Sequence, residues 1–474
     1  MNKKFFKRLL RGCVAGTLAM ILSACGIQKE AETSIVIEPM EKEEVYAVGF
    51  DFLGGQDVMP ISGYYGPMPS EYSYNGQSFP SQYTDDIFEK ISGAGINMIH
   101  HSYTNYTSTP DLVLKMLELG EKHNVGICVT DSVITHTPTG SVKDVNTVAE
   151  GIAAYCDYPA FCGMYVVDEP GTTYFKPTSN QHRDISTWAT AFQALNELGI
   201  FGSGNLFPNY NEEETELYKQ YVEEYLESCS PKVLSTDYYL WDLEDPKPGY
   251  FANMDIIRHY ANEYKIPFWW YIQAGGQWND ASTRFDSEEL YPHEGQMHWN
   301  VNTALACGAK GLEYFTLIQP VHFSYAKSTP FDFQRNGILG AWGNKTQWWY
   351  YAQNINKQVA AVDEVLMNSV NKGVIVTGEE AIADTEGLEM VIKGTSWREL
   401  QSVEGNTIIG CFNYNGKTAL YVVNYEEEYA QKITLNLQDK YNVSVTQSAA
   451  VSRVNTDTLK LDLKAGEAAL VVFD

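Results

Sequence analysis

Two adjacent carboxylic acids close a strongly apolar run in the first half of the chain. Val166 and Val167 precede Asp168 and Glu169, and a proline follows. Partial burial at the end of such a run disfavours the charged form of a carboxyl group and therefore raises its pKa. An acid with a raised pKa can give up a proton near neutral pH, so Asp168 and Glu169 are candidates for general acid catalysis.

A second carboxyl group would complete this chemistry. Asp237 is the first candidate and Glu313 the second, because each lies in another apolar run. One acid that protonates a leaving oxygen, and one carboxylate that acts as nucleophile or as base for water, are the minimum for cleaving a glycosidic bond. Other interpretations stay open: Asp168 can cap a loop, Asp237 can end a strand in solvent, Glu169 can be an exposed loop acid, and Glu313 can face the surrounding helices.

Acids, amides and aromatic rings at the other run ends are candidates for binding a substrate. Flat rings suit the apolar faces of sugars, and sugar hydroxyls pair with acids and amides. The substrate-binding candidates are His101, Asp131, Asn205, Tyr238, Trp270, Gln273 and Glu313. Further rings at or near the same rim are those of Trp241, Trp269, Tyr271, Trp278, Tyr314 and Phe315.

Eight short apolar runs position these side chains. They span residues 45–52, 96–101, 126–131, 163–169, 200–205, 233–239, 267–273 and 311–317. Segments with helical spacing lie between them; one is capped by Thr84, carries Ile87 and Ile91 on one face, and stops at Gly93. Strands and helices that alternate until eight strands are counted predict a closed (β/α)8 TIM barrel over residues 45–365, with its active site at the carboxyl ends of the strands.

The pattern changes after Leu366. Short alternating runs separated by turns follow at 406–414, 419–425, 431–437 and 468–473. They predict a C-terminal antiparallel β-sandwich over residues 366–474. The sandwich shows no clear run of surface aromatic residues, so we interpret it as structural support.

The amino terminus has the layout of an export signal. Basic residues precede an apolar run at 14–22, which is shorter than the roughly 20 residues that span a bilayer. Residues 22–26 resemble the lipobox of bacterial lipoproteins, which implies a signal peptide over 1–24, lipidation of Cys25 and a protein anchored at the cell surface, facing outward. Polar residues 25–44 then predict a disordered tether. The alternative is an ordinary signal peptide that leaves Cys25 as a free thiol.

The charge balance restricts the partners. The chain has 60 acidic against 33 basic residues, and its formal net charge is -27. Nucleic acid is nearly excluded, because its phosphates need clustered lysine and arginine, and a neutral or cationic ligand fits better. The eight cysteines lack metal-binding spacing, so the sequence predicts no metal, no organic cofactor and no disulfide framework, although a single Cys156–Cys162 bridge stays open.

Two stretches resemble the clan of retaining glycosidases built on (β/α)8 barrels, especially the β-galactosidases of glycoside hydrolase family 42. They are residues 163–170, which end in Asp168, Glu169 and Pro170, and residues 299–316. The resemblance implies that Glu169 is the proton donor, with Asp168 where the clan has asparagine. The clan's nucleophile is a glutamate ending strand seven, where this chain has Gln273. The second carboxylate must then be another residue, with Asp237 first and Glu313 second, or the mechanism must be inverting.

The chain also resembles uncharacterised bacterial lipoproteins with Asp-Glu-Pro at strand four and Asp-Tyr-Tyr at strand six, here residues 237–239. We therefore expect a glycosidase that acts on a neutral oligosaccharide or polysaccharide, with Glu169 as general acid and Asp237 as the partner carboxylate. The alternative is a glycan-binding surface protein that has lost catalysis, which the missing strand-seven glutamate favours. A solute receptor with two lobes is disfavoured by the count of eight strands and by the C-terminal sandwich.

Overall fold

Eight parallel strands close into a barrel. The computed structural model describes residues 37–74, 76–99, 110–131, 145–170, 185–241, 246–275, 292–321 and 337–474. The strands of its first part are β1 (Ile61–Gly63), the hairpin strands β2 (Tyr72–Tyr74) and β3 (Gln77–Phe79), β4 (Met98–Ile99), β5 (Gly126–Val129), β6 (Phe161–Asp168), β7 (Gly202–Leu206), β8 (Leu234–Thr236), β9 (Phe268–Gln273) and β10 (Leu312–Phe315). Strand β1 pairs with both β4 and β10, and every other barrel strand pairs with its neighbours in the sequence.

A helix follows each barrel strand in the described part of the chain. These helices are α1 (Asp85–Gly93), α2 (Pro110–His123), α3 (Val145–Ile152), α4 (Ser186–Leu198), α5 (Thr215–Cys229), α6 (Lys247–Tyr264), α7 (Glu294–Ala306) and α8 (Gln347–Val359). Helix α1 begins where the Thr84 side chain accepts a hydrogen bond from the backbone N–H of Ile87, and it buries Ile87 and Ile91. The predicted (β/α)8 barrel is therefore confirmed.

The first barrel strand differs from the prediction. Residues 45–52 form no barrel strand; the Phe50 ring lies against Phe201 and Trp269 at the amino ends of the strands, with ring centroids 5.2 Å and 6.4 Å away. The apolar run is thus buried because it covers the lower end of the barrel. The actual strand β1 carries Ser62 and Gly63, which give no apolar signal. The other seven predicted runs each overlap a barrel strand.

The C-terminal part is an antiparallel sheet folded around its own core. Its elements are α9 (Asp363–Met367), β11 (Ser369–Thr377), α10 (Glu379–Asp384), β12 (Leu400–Glu404), β13 (Thr407–Tyr414), β14 (Lys417–Asn424), β15 (Gln431–Gln447), β16 (Ala450–Leu463) and β17 (Ala468–Phe473). The order is β11-β13-β14-β17-β15-β12, and β16 also pairs with β15. Strands β12 to β17 all contribute to one apolar cluster, which forms the core of the predicted sandwich.

Helix α7 lies between the barrel and this sheet. Nearly all of its residues are buried, because one side packs on the barrel and the other on β13 and β14. Such a helix needs no polar face. The Tyr421 hydroxyl of β14 donates to the Asn302 side chain of α7 over 2.7 Å. The sheet therefore supports the helix that follows barrel strand β9.

The predicted tether is ordered in its last part. The backbone N–H of Met40 donates to the Gly416 carbonyl over 3.2 Å, and Lys372 forms an ion pair with Glu43 at 2.8 Å. Residues 40–43 thus lie on the C-terminal sheet, contrary to the prediction of disorder up to residue 44. Cys25 lies outside the described residues, so the lipid anchor stays a prediction. Among the helices described, none is sufficiently long and apolar to cross a membrane.

The described cysteines are all free thiols. Cys156 is exposed and Cys162 is buried, and the bridge between them that the sequence left open is not formed. Burial raises the pKa of the Cys162 thiol to about 12. Buried thiols of this kind act as small apolar side chains.

Candidate active site

The side chains that follow strand β8 alternate between the lumen of the barrel and the surrounding helices. Successive side chains of a strand point to opposite faces. Tyr238 faces the helices, where its ring lies 6.0 Å from that of Tyr250. Tyr239 faces the lumen, where its ring lies 5.0 Å from Phe315. Asp237 precedes the outward Tyr238 and accordingly faces the lumen, with 2 % of its surface exposed.

A bulge in β6 brings two more groups to the same side. The register between β6 and β7 shifts between Tyr165 and Val167, which changes the alternation of side chains by one residue. Tyr165 and Asp168 therefore both face the lumen, and the Tyr165 hydroxyl donates to Oδ1 of Asp168 over 2.9 Å. The Tyr64 hydroxyl, just after β1, donates to Oδ2 over 2.6 Å. Both carboxylate oxygens of Asp168 are thus held by phenols.

Glu169 turns its carboxyl group toward the same space as Asp168. Adjacent residues of a regular strand would point apart, but Glu169 has a φ of 45°, in the left-handed region. Its backbone N–H donates to the Asn205 carbonyl over 2.8 Å, which holds this turn in place. Non-glycine residues in this region cost on the order of 1 kcal/mol, and such strain is found often at functional sites.

Asn205 links the carboxyl groups of two strands. Its Nδ2 donates to Oδ1 of Asp237 over 2.7 Å. The same side chain also hydrogen-bonds to Asp168 and lowers the pKa of that carboxyl group. Tyr239 donates a further hydrogen bond to Asp237. Carboxyl groups from β6 and β8 are therefore joined through one amide.

The three carboxyl groups differ in how firmly they hold a proton. Burial raises the pKa of Glu169 to about 10, and the negative charges of Asp237 and Asp168 add to this effect. Burial also raises the pKa of Asp237 to about 7, with the hydrogen bond from Asn205 opposing it and the charge of Asp168 adding to it. Glu169 therefore keeps its proton at neutral pH, and Asp237 loses its proton near that pH.

Asp168 is the most accessible of the three. Its side chain is exposed at the mouth of the barrel, although protein atoms surround this mouth closely enough that burial still raises its pKa. The hydrogen bonds from Tyr64, Tyr165 and Asn205 oppose that rise. Since a carboxylate accepts but does not donate hydrogen bonds, these three contacts stabilise the ionised form of Asp168 against the larger effect of burial.

Removing one of these phenolic donors should weaken the fold at alkaline pH. We expect Tyr64→Phe or Tyr165→Phe to lower the free energy of unfolding at pH 8 by about 1–2 kcal/mol, because a hydrogen bond to a partly solvated carboxylate is lost. The difference in the free energy of unfolding between parent and variant should narrow toward pH 4, because protonation of Asp168 in the folded state removes the negative charge that these hydrogen bonds stabilise. Urea unfolding at the two pH values measures this.

A matched control comes from helix α5. The buried Tyr225 hydroxyl has no hydrogen-bond partner among the described residues, so Tyr225→Phe should leave stability unchanged or raise it slightly. An equal loss in Tyr225→Phe and Tyr64→Phe would contradict the role given to the phenols.

Aromatic rings line the lumen around the carboxyl groups. This cluster comprises Tyr64, Tyr65, Tyr165, Tyr239, Tyr271 and Phe315. The sequence indicated Tyr271 and Phe315 as rim residues, but not Tyr64 and Tyr65, because the strand before them was not recognised. Their position directly after β1 was the available signal.

Tyr238 and Trp270 do not lie with the candidate site. Trp270 is fully buried and packs its ring 5.3 Å from Tyr250 of α6. Tyr238 packs on the same helix. Both were predicted to bind substrate, and the structure turns both toward the helices, because the inward positions of their strands belong to Tyr239 and Tyr271. Tyr314 also faces outward and donates to Asn356 over 2.8 Å.

Gln273 and Asp131 are engaged in structural hydrogen bonds. The Gln273 amide accepts from the backbone N–H of Trp241 over 3.1 Å and donates to the Gly275 carbonyl over 3.2 Å. Asp131 accepts from the hydroxyl of Tyr155, a residue of the main apolar core. These contacts hold the segments that follow the strands, which differs from the predicted role in binding substrate.

Glu313 faces the lumen but lies below the mouth. It is fully buried, and its Oε1 is 2.6 Å from the Ser235 hydroxyl. Glu313 has no exposed surface and contacts the hydroxyls of Ser235 and Ser62, which differs from its predicted roles as a substrate-binding residue and as a second catalytic acid. His101 and Trp278 lie outside the described residues. Within the described ranges, no three acidic, histidine or cysteine side chains are grouped to hold a metal ion.

Comparisons with known proteins add little. No family model matches the chain, and no curated protein matches it in sequence. AmyP bound to maltotriose superposes with a TM-score of 0.48 at 9% identity, covering 88% of this chain and 97% of that one. The glycoside hydrolase family 99 endo-α-mannosidase from Bacteroides thetaiotaomicron gives 0.34 at 11%, covering 63% and 98%. A β-galactosidase from the psychrophilic Marinomonas ef1 gives 0.45 at 12%, covering 69% and 65%. With TM-scores below 0.5, these similarities carry no argument about chemistry, which rests on this chain's own residues.

Proposed function

We propose that this protein hydrolyses a glycosidic bond in a neutral oligosaccharide or polysaccharide, with Glu169 as the general acid. The observation that carries the proposal is that the carboxyl groups of Asp168, Glu169 and Asp237 lie together at the ends of β6 and β8, joined through Asn205 and the left-handed turn at Glu169. Glu169 keeps its proton at neutral pH because burial raises its pKa to about 10, while Asp168 is held by three donors. A proton donor beside ionised carboxylates is what glycoside cleavage requires.

In this proposal Glu169 gives its proton to the oxygen that leaves the sugar ring. Asp237 is the partner carboxylate, since its charge is the strongest influence on the pKa of Glu169 after burial. It attacks the anomeric carbon or removes a proton from the attacking water. Asp168, with both oxygens fixed by phenols, stabilises the positive charge that develops on the ring.

The surroundings favour an uncharged substrate. Among the described residues, no lysine or arginine is hydrogen-bonded or ion-paired to the three carboxyl groups. A uronate or sulfated sugar would meet two negative charges there. The phenol rings of the lumen offer apolar faces for neutral sugars.

A glycan panel tests the proposal. The protein is incubated with neutral and with anionic oligosaccharides and polysaccharides, and new reducing ends are measured beside calorimetric binding. We expect release from at least one neutral glycan and none from anionic ones. Proton NMR of the first product then shows whether the anomeric configuration is kept or inverted, which separates nucleophilic attack by Asp237 from attack by water.

The glycan-binding alternative has one observation in its favour. Gln273 stands where the glycosidase clan that the sequence resembles has its nucleophile. The Gln273 amide is hydrogen-bonded to backbone groups of Trp241 and Gly275. Tight binding of a glycan without any release of reducing ends would overturn the hydrolase proposal and support this alternative.

A further inference from the structure

A chain of buried hydrogen bonds leads from Asp237 down into the barrel. Asn205 donates to Asp237 over 2.7 Å, and Oδ1 of the same amide is 3.3 Å from the Ser235 hydroxyl. Ser235 is in turn 2.6 Å from Oε1 of Glu313, whose Oε2 is 3.5 Å from the Ser62 hydroxyl. Strands β7, β8, β10 and β1 each contribute one member below the mouth, and all of these members are buried.

We propose that Asn205 is a positioning residue that keeps Asp237 ionised, and that Ser235, ordered by Glu313, fixes which end of the Asn205 amide faces the carboxyl groups. This inference rests on the proposed function for its meaning in catalysis. It replaces the predicted role of Asn205 in binding substrate.

The argument begins with the two ends of an amide. The NH2 end donates and the oxygen end accepts, and an ionised carboxylate can only accept. Asn205 stabilises the charge on Asp237 only while its NH2 end faces that carboxylate. If the amide turned over, its oxygen would lie against a negative charge, and the neutral form of Asp237 would be favoured.

Ser235 contacts the opposite end of the amide. Its single hydroxyl proton is shared between Glu313 at 2.6 Å and Asn205 at 3.3 Å. When Glu313 carries a proton, Glu313 donates to Ser235, Ser235 to Asn205, and Asn205 to Asp237. Every donor then points the same way, and hydrogen bonds in such a chain strengthen one another. In that arrangement, protonated Glu313 supports the charge on Asp237 through Ser235 and Asn205.

Other titratable groups face Asp237 from several elements. They are Asp168 and Glu169 at the end of β6, Tyr210 after β7, Tyr218 on α5, Tyr239 after β8 and Tyr271 on β9. Burial raises the pKa of each of these phenols, so they stay neutral near pH 7. The groups next to Glu313 include the hydroxyls of Ser62 and Ser235 and, by strand register, Tyr271.

Three variants test the inference in a graded series. Asn205→Ala removes the donor itself, Ser235→Ala removes only the contact that fixes the amide, and Ser62→Ala removes a hydroxyl on the other oxygen of Glu313. We expect Ser235→Ala to lower kcat/KM at pH 6 by about 3- to 10-fold with an unchanged KM, because one neutral hydrogen bond is lost. At pH 8.5 its kcat/KM should equal that of the parent. Asn205→Ala should show a larger loss of the same form, and Ser62→Ala none.

Thermal unfolding gives a readout that does not need activity. If the variants make Asp237 hold its proton more firmly in the folded state, their stability relative to the parent must fall as pH rises from about 4 to 8. The melting temperature gap to the parent should therefore widen with pH for Ser235→Ala and Asn205→Ala, and stay constant for Ser62→Ala. This measurement stands even if no glycan is cleaved by the parent.

Two results would overturn the inference. One is a Ser235→Ala protein whose pH dependence matches that of the parent in both measurements. The other is a Ser62→Ala protein whose pH dependence changes as much as that of Ser235→Ala, since this would mean that any small cavity in the lumen has the same effect.

Discussion

Glu169→Gln should lower turnover by about two to four orders of magnitude, because the amide cannot donate the proton that the leaving oxygen needs. The side chain keeps its size and its place beside Asp237, so KM should change little. The measurement is kcat on the neutral glycan that the panel identifies. Glu216→Gln, the same exchange on the exposed face of helix α5, is the matched control and should leave kcat unchanged.

The leaving group provides a second control. In an aryl glycoside whose phenol has a low pKa, the phenolate leaves without being protonated. Glu169→Gln should therefore cleave such a substrate at a rate close to that of the parent. Asp237→Asn should be impaired on both kinds of substrate. Full turnover of the glycan by Glu169→Gln would refute the assignment of the general acid, and equal loss on both substrates would place Glu169 in another role.

The pH profile should change in the same variant. The parent needs Asp237 ionised and Glu169 protonated, and burial raises their pKa values to about 7 and about 10. Activity should therefore rise through the first value and fall through the second. Glu169→Gln should lose the alkaline limb and keep the acidic one, because only the acidic limb reports Asp237.

The second large effect is expected in stability. Glu169 binds its proton more firmly in the folded chain than at its ordinary value of 4.5, because burial raises its pKa to about 10. Between these values the folded state binds one proton more than the unfolded state, so stability falls as pH rises. The slope from one such proton is about 1.4 kcal/mol per pH unit. Because Glu169 is only half-buried, we expect a realised cost of about 2–3 kcal/mol at pH 8.5.

Glu169→Gln removes this cost and should be more stable than the parent at alkaline pH. The gain should be about 2–3 kcal/mol at pH 8.5 and below about 0.5 kcal/mol at pH 4.5, where Glu169 is protonated in the folded parent and half protonated in the unfolded parent. Guanidinium unfolding at both pH values measures it, with Glu216→Gln as the control that shows no gain. A variant that is less stable than the parent at pH 8.5 would contradict the burial of an acidic group at this position.

A gain in stability with a loss of turnover is a recognised property of active sites. Three carboxyl groups in one mouth repel one another and lose hydration, and a fold tolerates this only where the surrounding structure holds them. Here the phenols of Tyr64 and Tyr165 and the amide of Asn205 supply that support. The two expected results for Glu169→Gln therefore have one physical origin.

The sequence alone determined the barrel and the ends of its strands. Apolar runs that close in polar residues recur because parallel strands are buried on both faces, and seven of the eight runs overlap a barrel strand. The same pattern indicated Asp168, Glu169 and Asp237, since residues that follow barrel strands gather at one end of the barrel. The run at 45–52 was misleading, because an apolar segment that covers the barrel from outside has the same composition as a strand within it.

Only the tertiary structure decided which side chains face the lumen. A strand buried on both faces shows no alternation, so the sequence could not separate Tyr239 from Tyr238 or Tyr271 from Trp270. The bulge in β6 and the left-handed turn at Glu169, which bring two adjacent carboxyl groups to one side, depend on pairing with β7. The amide of Asn205 reaches two carboxyl groups because closure of the barrel brings β6, β7 and β8 together. Hydrogen bonds between distant strands are set by register and closure, and neither is encoded in the local pattern of residues.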